Sequence, residues 1–116
     1  MRFEERELRS YAQPVTNGLI EGEVYFSVQY VDEDLLIPII ETLVFVGALD
    51  ANDPNLLYFQ DVGSYRQGIR HDSANAEEAE FQVGSRGGIN HIFEYERALD
   101  ELMKCSLRRR KKLKEL

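Results

Sequence analysis

Residues 24–47 read VYFSVQYVDEDLLIPIIETLVFVG, and the spacing of their apolar side chains decides the fold. Val24, Phe26, Val28 and Tyr30 alternate with Tyr25, Ser27, Gln29 and Val31, the period of two expected of a strand. Three acids of poor strand propensity, Asp32, Glu33 and Asp34, break the pattern, and an apolar segment then returns over residues 35–47. The economical reading is an antiparallel hairpin. In the returning segment both sides are apolar, with Ile37, Ile39, Leu43 and Phe45 on one and Leu36, Ile40, Val44 and Val46 on the other. Such a strand is expected to be buried on both faces, with Pro38 marking a bulge or an edge position.

Upstream, Asn17-Gly18 sits between the apolar pairs formed around Val15 and Leu19-Ile20, the signal of a type I′ hairpin turn; Pro14 confines the first of those strands to an edge. A short helix around Phe3 to Arg9 has little apolar surface with which to dock. Downstream, Asp50, Asn52, Asp53, Pro54 and Asn55 form a loop, and residues 56–60 supply another strand. Residues 61–77 lack a clear period and read mostly as loop. A last strand over residues 78–83 points Phe81 and Val83 inward. Asn90 is suited to cap a helix over residues 91–108, in which Ile92, Tyr95, Leu99, Leu102 and Met103 form one apolar stripe for the sheet.

These elements predict an α+β fold: an antiparallel, strongly bent sheet of about five strands, up to a partial barrel, with one C-terminal amphipathic helix packed on it. Residues 1–107 read as a single domain and residues 108–116 as a basic tail. A chain of 116 residues with 43% hydrophobic content has enough apolar material for one core.

Charge is unevenly divided. Residues 1–103 hold 7 basic and 20 acidic residues, −13, whereas the last 13 residues are +6, which together give the net −7 of the chain. No secretory signal is visible in MRFEERELRS at residues 1–10, and the longest apolar run falls far short of the about 20 residues that span a bilayer. Cys105 is the sole cysteine, which excludes an intrachain disulfide and suits a reducing compartment. The expected location is the cytoplasm, with no membrane association.

Four groups of residues invite a functional reading. Gly84, Ser85, Arg86, Gly87 and Gly88 lie between an expected strand and helix, where backbone N–H groups can hold an anion; they match neither a P-loop nor GxGxxG, and a plain connection has the same composition. Tyr58, Gln60, Asp61 and Tyr65 cluster around Gly63 as a pocket for a small ligand, although core aromatics ending in a turn look alike. Arg108, Arg109, Arg110, Lys111, Lys112 and Lys114 offer contacts to a polyanion. His71 and His91 show no metal-ligand spacing, so neither a metal nor a cofactor is expected.

Neither Ser64 nor Ser85 lies in GxSxG, and Cys105 falls beside Lys104 within a helix, so no catalytic constellation is assembled. The sequence therefore leads to a non-catalytic binding or assembly module, self-associating as a dimer because its apolar strand surface exceeds what one helix covers. Nucleic-acid or acidic-partner binding through the basic tail is the alternative, and a small enzyme of unknown reaction the second.

Overall fold

The computed structural model describes residues 18–114. The expected helix around Phe3 and the strand before Asn17 lie outside the described residues, and residues 18–20 are not part of a strand. The hairpin forms as its alternation requires. Strand β1 (Val24–Tyr30) pairs antiparallel with β2 (Pro38–Gly47), in a register that runs from Val24 opposite Val44 to Tyr30 opposite Pro38.

Asp32 builds the turn between them. Its carboxylate accepts the N–H groups of Leu36 at 3.0 Å and Ile37 at 2.8 Å, while its carbonyl accepts that of Leu35 at 3.3 Å. Burial alone would raise the Asp32 carboxyl, but those N–H donors outweigh it, with help from the Arg108 guanidinium, and hold it below its ordinary value. The tight path leaves Leu35 at φ 60, a left-handed conformation that costs a residue bearing a Cβ. Val31 N–H bonds to Ile37 O, so Tyr30 and Pro38 form the non-hydrogen-bonded pair. Pro38 therefore turns its nitrogen away from β1, toward a side where the next strand has not begun, and no ladder bond is lost. The expected bulge occurs instead between Phe45 and Gly47.

Beyond β2 come β3 (Leu56–Asp61), the short helix α1 (Val62–Arg66), a 3-10 turn (Ala76–Glu78), β4 (Phe81–Ser85), β5 (Ile92–Phe93) and α2 (Tyr95–Lys114). All pairings are antiparallel, in the order β4-β3-β2-β1-β5, and the sheet is not closed into a barrel. Residues 61–77, read from sequence mostly as loop, hold α1 and the start of the 3-10 turn.

Each face of the sheet carries its own core. On the first, Tyr25, Leu43, Phe45, Leu57 and Phe59 pack with Ile89, Ile92 and Leu19. On the second, Val28 and Phe93 pack with Ala98, flanked by Phe26, Tyr30 and Leu102. Helix α1 and Ile69 cover the second face further along, where Gln60 of β3 lies opposite Val44 of β2. Ile92 and Phe93 thus serve both cores from adjacent positions, which only a strand permits. For that reason the helix does not start near Asn90. It begins after Glu94, whose carbonyl accepts the Ala98 N–H at 2.9 Å.

Two expected burial patterns are corrected. The helix face on the sheet is Ala98, Leu102 and Cys105, whereas Tyr95 and Leu99, assigned to that face from sequence, are 67% and 56% exposed. The apolar arc of α2 is wider than the sheet beneath it. Likewise β2 is buried on both sides only around Leu43, Val44 and Phe45, while Ile37, Ile39 and Ile40 remain exposed where β3 does not reach. Val83, expected inward, is exposed on the edge strand β4, because its face lies beyond the cover of α1.

Helix α2 continues through Lys114, so the basic residues are helical. Arg108 donates from Nε to Leu35 O at 2.9 Å and from Nη2 to the Tyr30 hydroxyl at 2.8 Å, and Arg109 donates to Leu36 O at 2.8 Å. These bonds tie the helix to the β1–β2 turn. The Tyr30 hydroxyl is raised above its ordinary value by burial and by Glu101, against the opposing pull of Arg108.

Candidate functional site

The junction of β3 and α1 builds the floor of a cleft. Asp61 is the N-cap: its carboxylate accepts the Ser64 N–H at 2.9 Å, the Ser64 hydroxyl at 2.5 Å and the Glu80 N–H at 2.9 Å. Burial acts to raise its carboxyl, yet the Ser64 hydroxyl and the two N–H donors prevail and hold it below its ordinary value. Ser64 is buried and its hydroxyl is spent between Asp61 and Gln60, which leaves it no role as a nucleophile.

Gln60, one residue earlier, is fully buried. Its amide nitrogen donates to Ser64 Oγ at 2.9 Å and to Ile69 O at 2.8 Å. A backbone carbonyl only accepts, so Ile69 fixes which end of the amide faces it. Oε1 is left as a buried acceptor with no partner. Above it opens a cleft of about 430 Å³, walled by Phe45, Val46 and Tyr65 and edged by Glu21, Arg70, His71 and Asp72. Arg70 is held rigidly there, since Nη1 donates to Tyr65 O and Ile69 O at 2.8 Å and the guanidinium lies 3.7 Å from the Tyr65 ring centroid. Gly22 makes room for this wall, because a Cβ there would meet the Tyr65 hydroxyl at 3.3 Å.

Of the four residues picked from sequence as a pocket, the cleft brings together Gln60 and Tyr65. Tyr58 is half-buried on β3 away from it, and Asp61 serves as the cap beneath it. Sequence reasoning missed Arg70, which sits in a segment without periodicity, and Glu21, which precedes β1 and lies beside Gly47 of β2; Asp72 was weighed only beside His71 as a metal ligand, for which no spacing spoke. The glycine-rich stretch ends β4 with Gly84 and Ser85 and leads on to a strand, β5, not a helix. Two of its three glycines answer to packing: a Cβ on Gly84 would lie 2.7 Å from Ile89 Cγ2, and one on Gly88 would lie 2.9 Å from Ser85 Oγ, whereas one on Gly87 would meet nothing within 4 Å.

His71 is exposed at the cleft edge, while half-buried His91 has its imidazole pushed below its ordinary value by burial. No three His, Cys, Asp or Glu side chains are grouped to hold a metal among the described residues. Cys105 is buried beneath Leu36 O, 3.6 Å from Sγ, out of reach of solvent. No helix among the described residues is long and apolar enough to cross a membrane.

A second surface lies on α2. Tyr95, Leu99, Met103 and Leu107 recur every four residues and are 67%, 56%, 61% and 55% exposed, forming a continuous ridge along the helix. The Tyr95 ring stacks edge-on against Phe26 with centroids 5.1 Å apart, which anchors one end of the ridge to the sheet. Charge is uneven along the same helix, with Glu96, Asp100 and Glu101 beside Arg97 and Lys104 in its first half and six basic residues with no acid, Arg108 to Lys112 and Lys114, in its second. Comparison with family models, curated proteins and solved structures finds no match to this chain.

Proposed function

We propose that the protein is a non-catalytic binding and assembly module that pairs with a second copy of itself through α2. The ridge of Tyr95, Leu99, Met103 and Leu107 carries this reading, since soluble monomers seldom expose so continuous an apolar line. Side chains four apart are the ridges that interdigitate when two helices cross in the commonest packing class, at about −50°. A two-fold axis lets one ridge cover itself. Antiparallel pairing also sets the three acids of α2, Glu96, Asp100 and Glu101, near the basic second half of the other copy and keeps the two basic ends apart. The exposed Ile37, Ile39 and Ile40 of β2 extend the apolar surface. A lone, buried Cys105 suits the reducing conditions of the cytoplasm.

Light scattering across a dilution series in the micromolar range tests the proposal. The expected particle has twice the 13.4 kDa chain mass and falls to the single-chain mass in Met103→Glu. A wild-type particle that stays at the single-chain mass throughout overturns it.

A second reading, polyanion binding, draws on the exposed Arg110, Lys111, Lys112 and Lys114 alone, because Arg108 and Arg109 are bonded to the β1–β2 turn. Binding of this kind weakens steeply with salt as counterions are released. Absence of any RNA or DNA binding at low salt removes it.

A further inference from the structure

We propose that the outer edge of β4 takes up an extended segment of another protein as an added antiparallel strand, one whose alternate apolar residues are followed by a basic residue. In the ladder between β3 and β4, Asp61 N–H bonds to Glu80 O and Arg86 N–H to Asn55 O, so the even-numbered residues of β4 face β3 and the odd-numbered ones face outward. The N–H and C=O groups of Phe81 and Val83 therefore line the margin of the sheet, and no group among the described residues bonds to them.

A row of unpaired backbone groups is a template for another strand, and edges are commonly blunted with proline, charge or a bulge. Strand β4 has none of these: FQVGS carries no proline and no charge, and its register with β3 runs unbroken from Phe81 to Ser85. The free side of β2 over residues 38–42, by contrast, carries Pro38 and Glu41.

The side chains set the chemistry of the guest. Phe81 and Val83 share a face with Tyr58, which stands opposite Val83; Val83 is 51% exposed, and Phe81 and Tyr58 are half-buried. Alternate residues of an added strand lie beside this strip, which favours apolar ones. Just before β4, exposed Glu80 has no ion pair among the described residues, and Glu77 and Glu78 are exposed shortly upstream. Every pairing in this sheet is antiparallel, and that direction sets the C-terminal end of the guest against these acids, selecting lysine or arginine there.

A second copy is a poorer occupant. Ser85 O, on the outer side, accepts Gly88 N–H at 2.9 Å, so the turn after β4 folds back over that end of the edge. In the antiparallel registers that pair both Phe81 and Val83 with a second β4, the partner's turn falls on Phe81 or Ala79. A segment without such a turn is not obstructed. The edge lies at the margin of the sheet away from β5, so the inference stands apart from pairing through α2.

The probe is the peptide acetyl-Ser-Thr-Val-Thr-Val-Lys-Lys-amide, titrated into the nitrogen-15-labelled protein. Its valines fall opposite Val83 and Phe81 and its first lysine opposite Glu80. Saturable shifts of the Phe81 and Val83 amide resonances are expected, in wild type and in Met103→Glu alike. N-methylation of both valines removes the N–H groups that face β4 and should weaken binding about tenfold or more, whereas N-methylation of the central threonine, whose N–H faces away, should change it little. A peptide with glutamates in place of the lysines should bind more weakly, and Glu80→Lys should reverse that preference. Val83→Pro deletes an outward N–H without touching the β3 ladder, so it should fold and lose the peptide. Should it fail to fold, the reversal in Glu80→Lys decides the matter. The proposal is overturned if the β4 amides do not shift at millimolar peptide, if the doubly N-methylated peptide binds as well, or if the shifts fall on residues 38–42 instead. It is equally overturned if the β4 amides shift with protein concentration alone, the mark of a second copy on this edge.

Discussion

Placing a carboxylate at Leu99 and, separately, at Ala98 tests which half of the apolar arc of α2 the fold uses. Full burial of a leucine side chain contributes about 1.5–3 kcal/mol. Leu99 is 56% exposed, so roughly 1 kcal/mol of that is at stake, and the poorer helix propensity of Asp adds about 0.5 kcal/mol. For a domain of this size, 1 kcal/mol moves the melting temperature by about 4–8 °C. Leu99→Asp should therefore melt roughly 6–12 °C below wild type and remain folded at room temperature. Ala98 is 6% exposed against Val28 and Phe93, and a carboxylate there has no partner. Its burial costs several kcal/mol out of a total of about 5–15, enough to unfold the domain. Circular-dichroism melts at concentrations too low for pairing compare the two variants directly. A Leu99→Asp protein that is unfolded, or an Ala98→Asp protein that melts like wild type, would refute the assignment of the helix faces.

Two further outcomes follow from the turns. Because Asp61 titrates below its ordinary value of 3.8 in the folded protein, its contribution to stability is fully present above that value and is lost as pH falls through the lower folded value. Urea unfolding from neutral pH down through the carboxylate range should show this loss in wild type and a flatter profile in Asp61→Asn; identical profiles would contradict the capping role. At Leu35 the left-handed φ should reverse the usual ranking by hydrophobicity: Leu35→Gly is expected to be neutral or stabilising, since it relieves a strain of about 1–2 kcal/mol, while β-branched Leu35→Val loses stability, and equal midpoints for Val and Leu would count against that backbone conformation.

The β1–β2 hairpin was legible from sequence because alternation on two sides of an acidic turn leaves a strand little alternative, and β3 was legible for its flanking turn residues. Helix α2 was recognisable by period but not by facing. An arc that holds Tyr95, Leu99, Ala98, Leu102 and Cys105 does not reveal which part meets a sheet, since small residues such as Ala98 and Cys105 weigh little in a hydrophobic pattern yet allow the closest approach. Ile92 and Phe93 fit the helical stripe equally well, and only their pairing with Ser27 and Phe26 distinguishes a strand. At the site, Gln60 and Tyr65 were within reach of sequence reasoning as part of one local cluster. Arg70 was not, because its place is set by two carbonyls and a ring face, none of which leaves a periodic trace.

Strand β5 is two residues long, yet it occupies the outer side of β1 at Phe26 and Ser27, and the adjacent Val28 N–H is taken by His91 O. A foreign chain seeking to lengthen the sheet on that side finds the middle of β1 already hydrogen-bonded and α2 lying across it. Too few free amides and carbonyls remain in a row to template another strand. Fibre-like growth by addition of strands is disfavoured at this margin of the sheet.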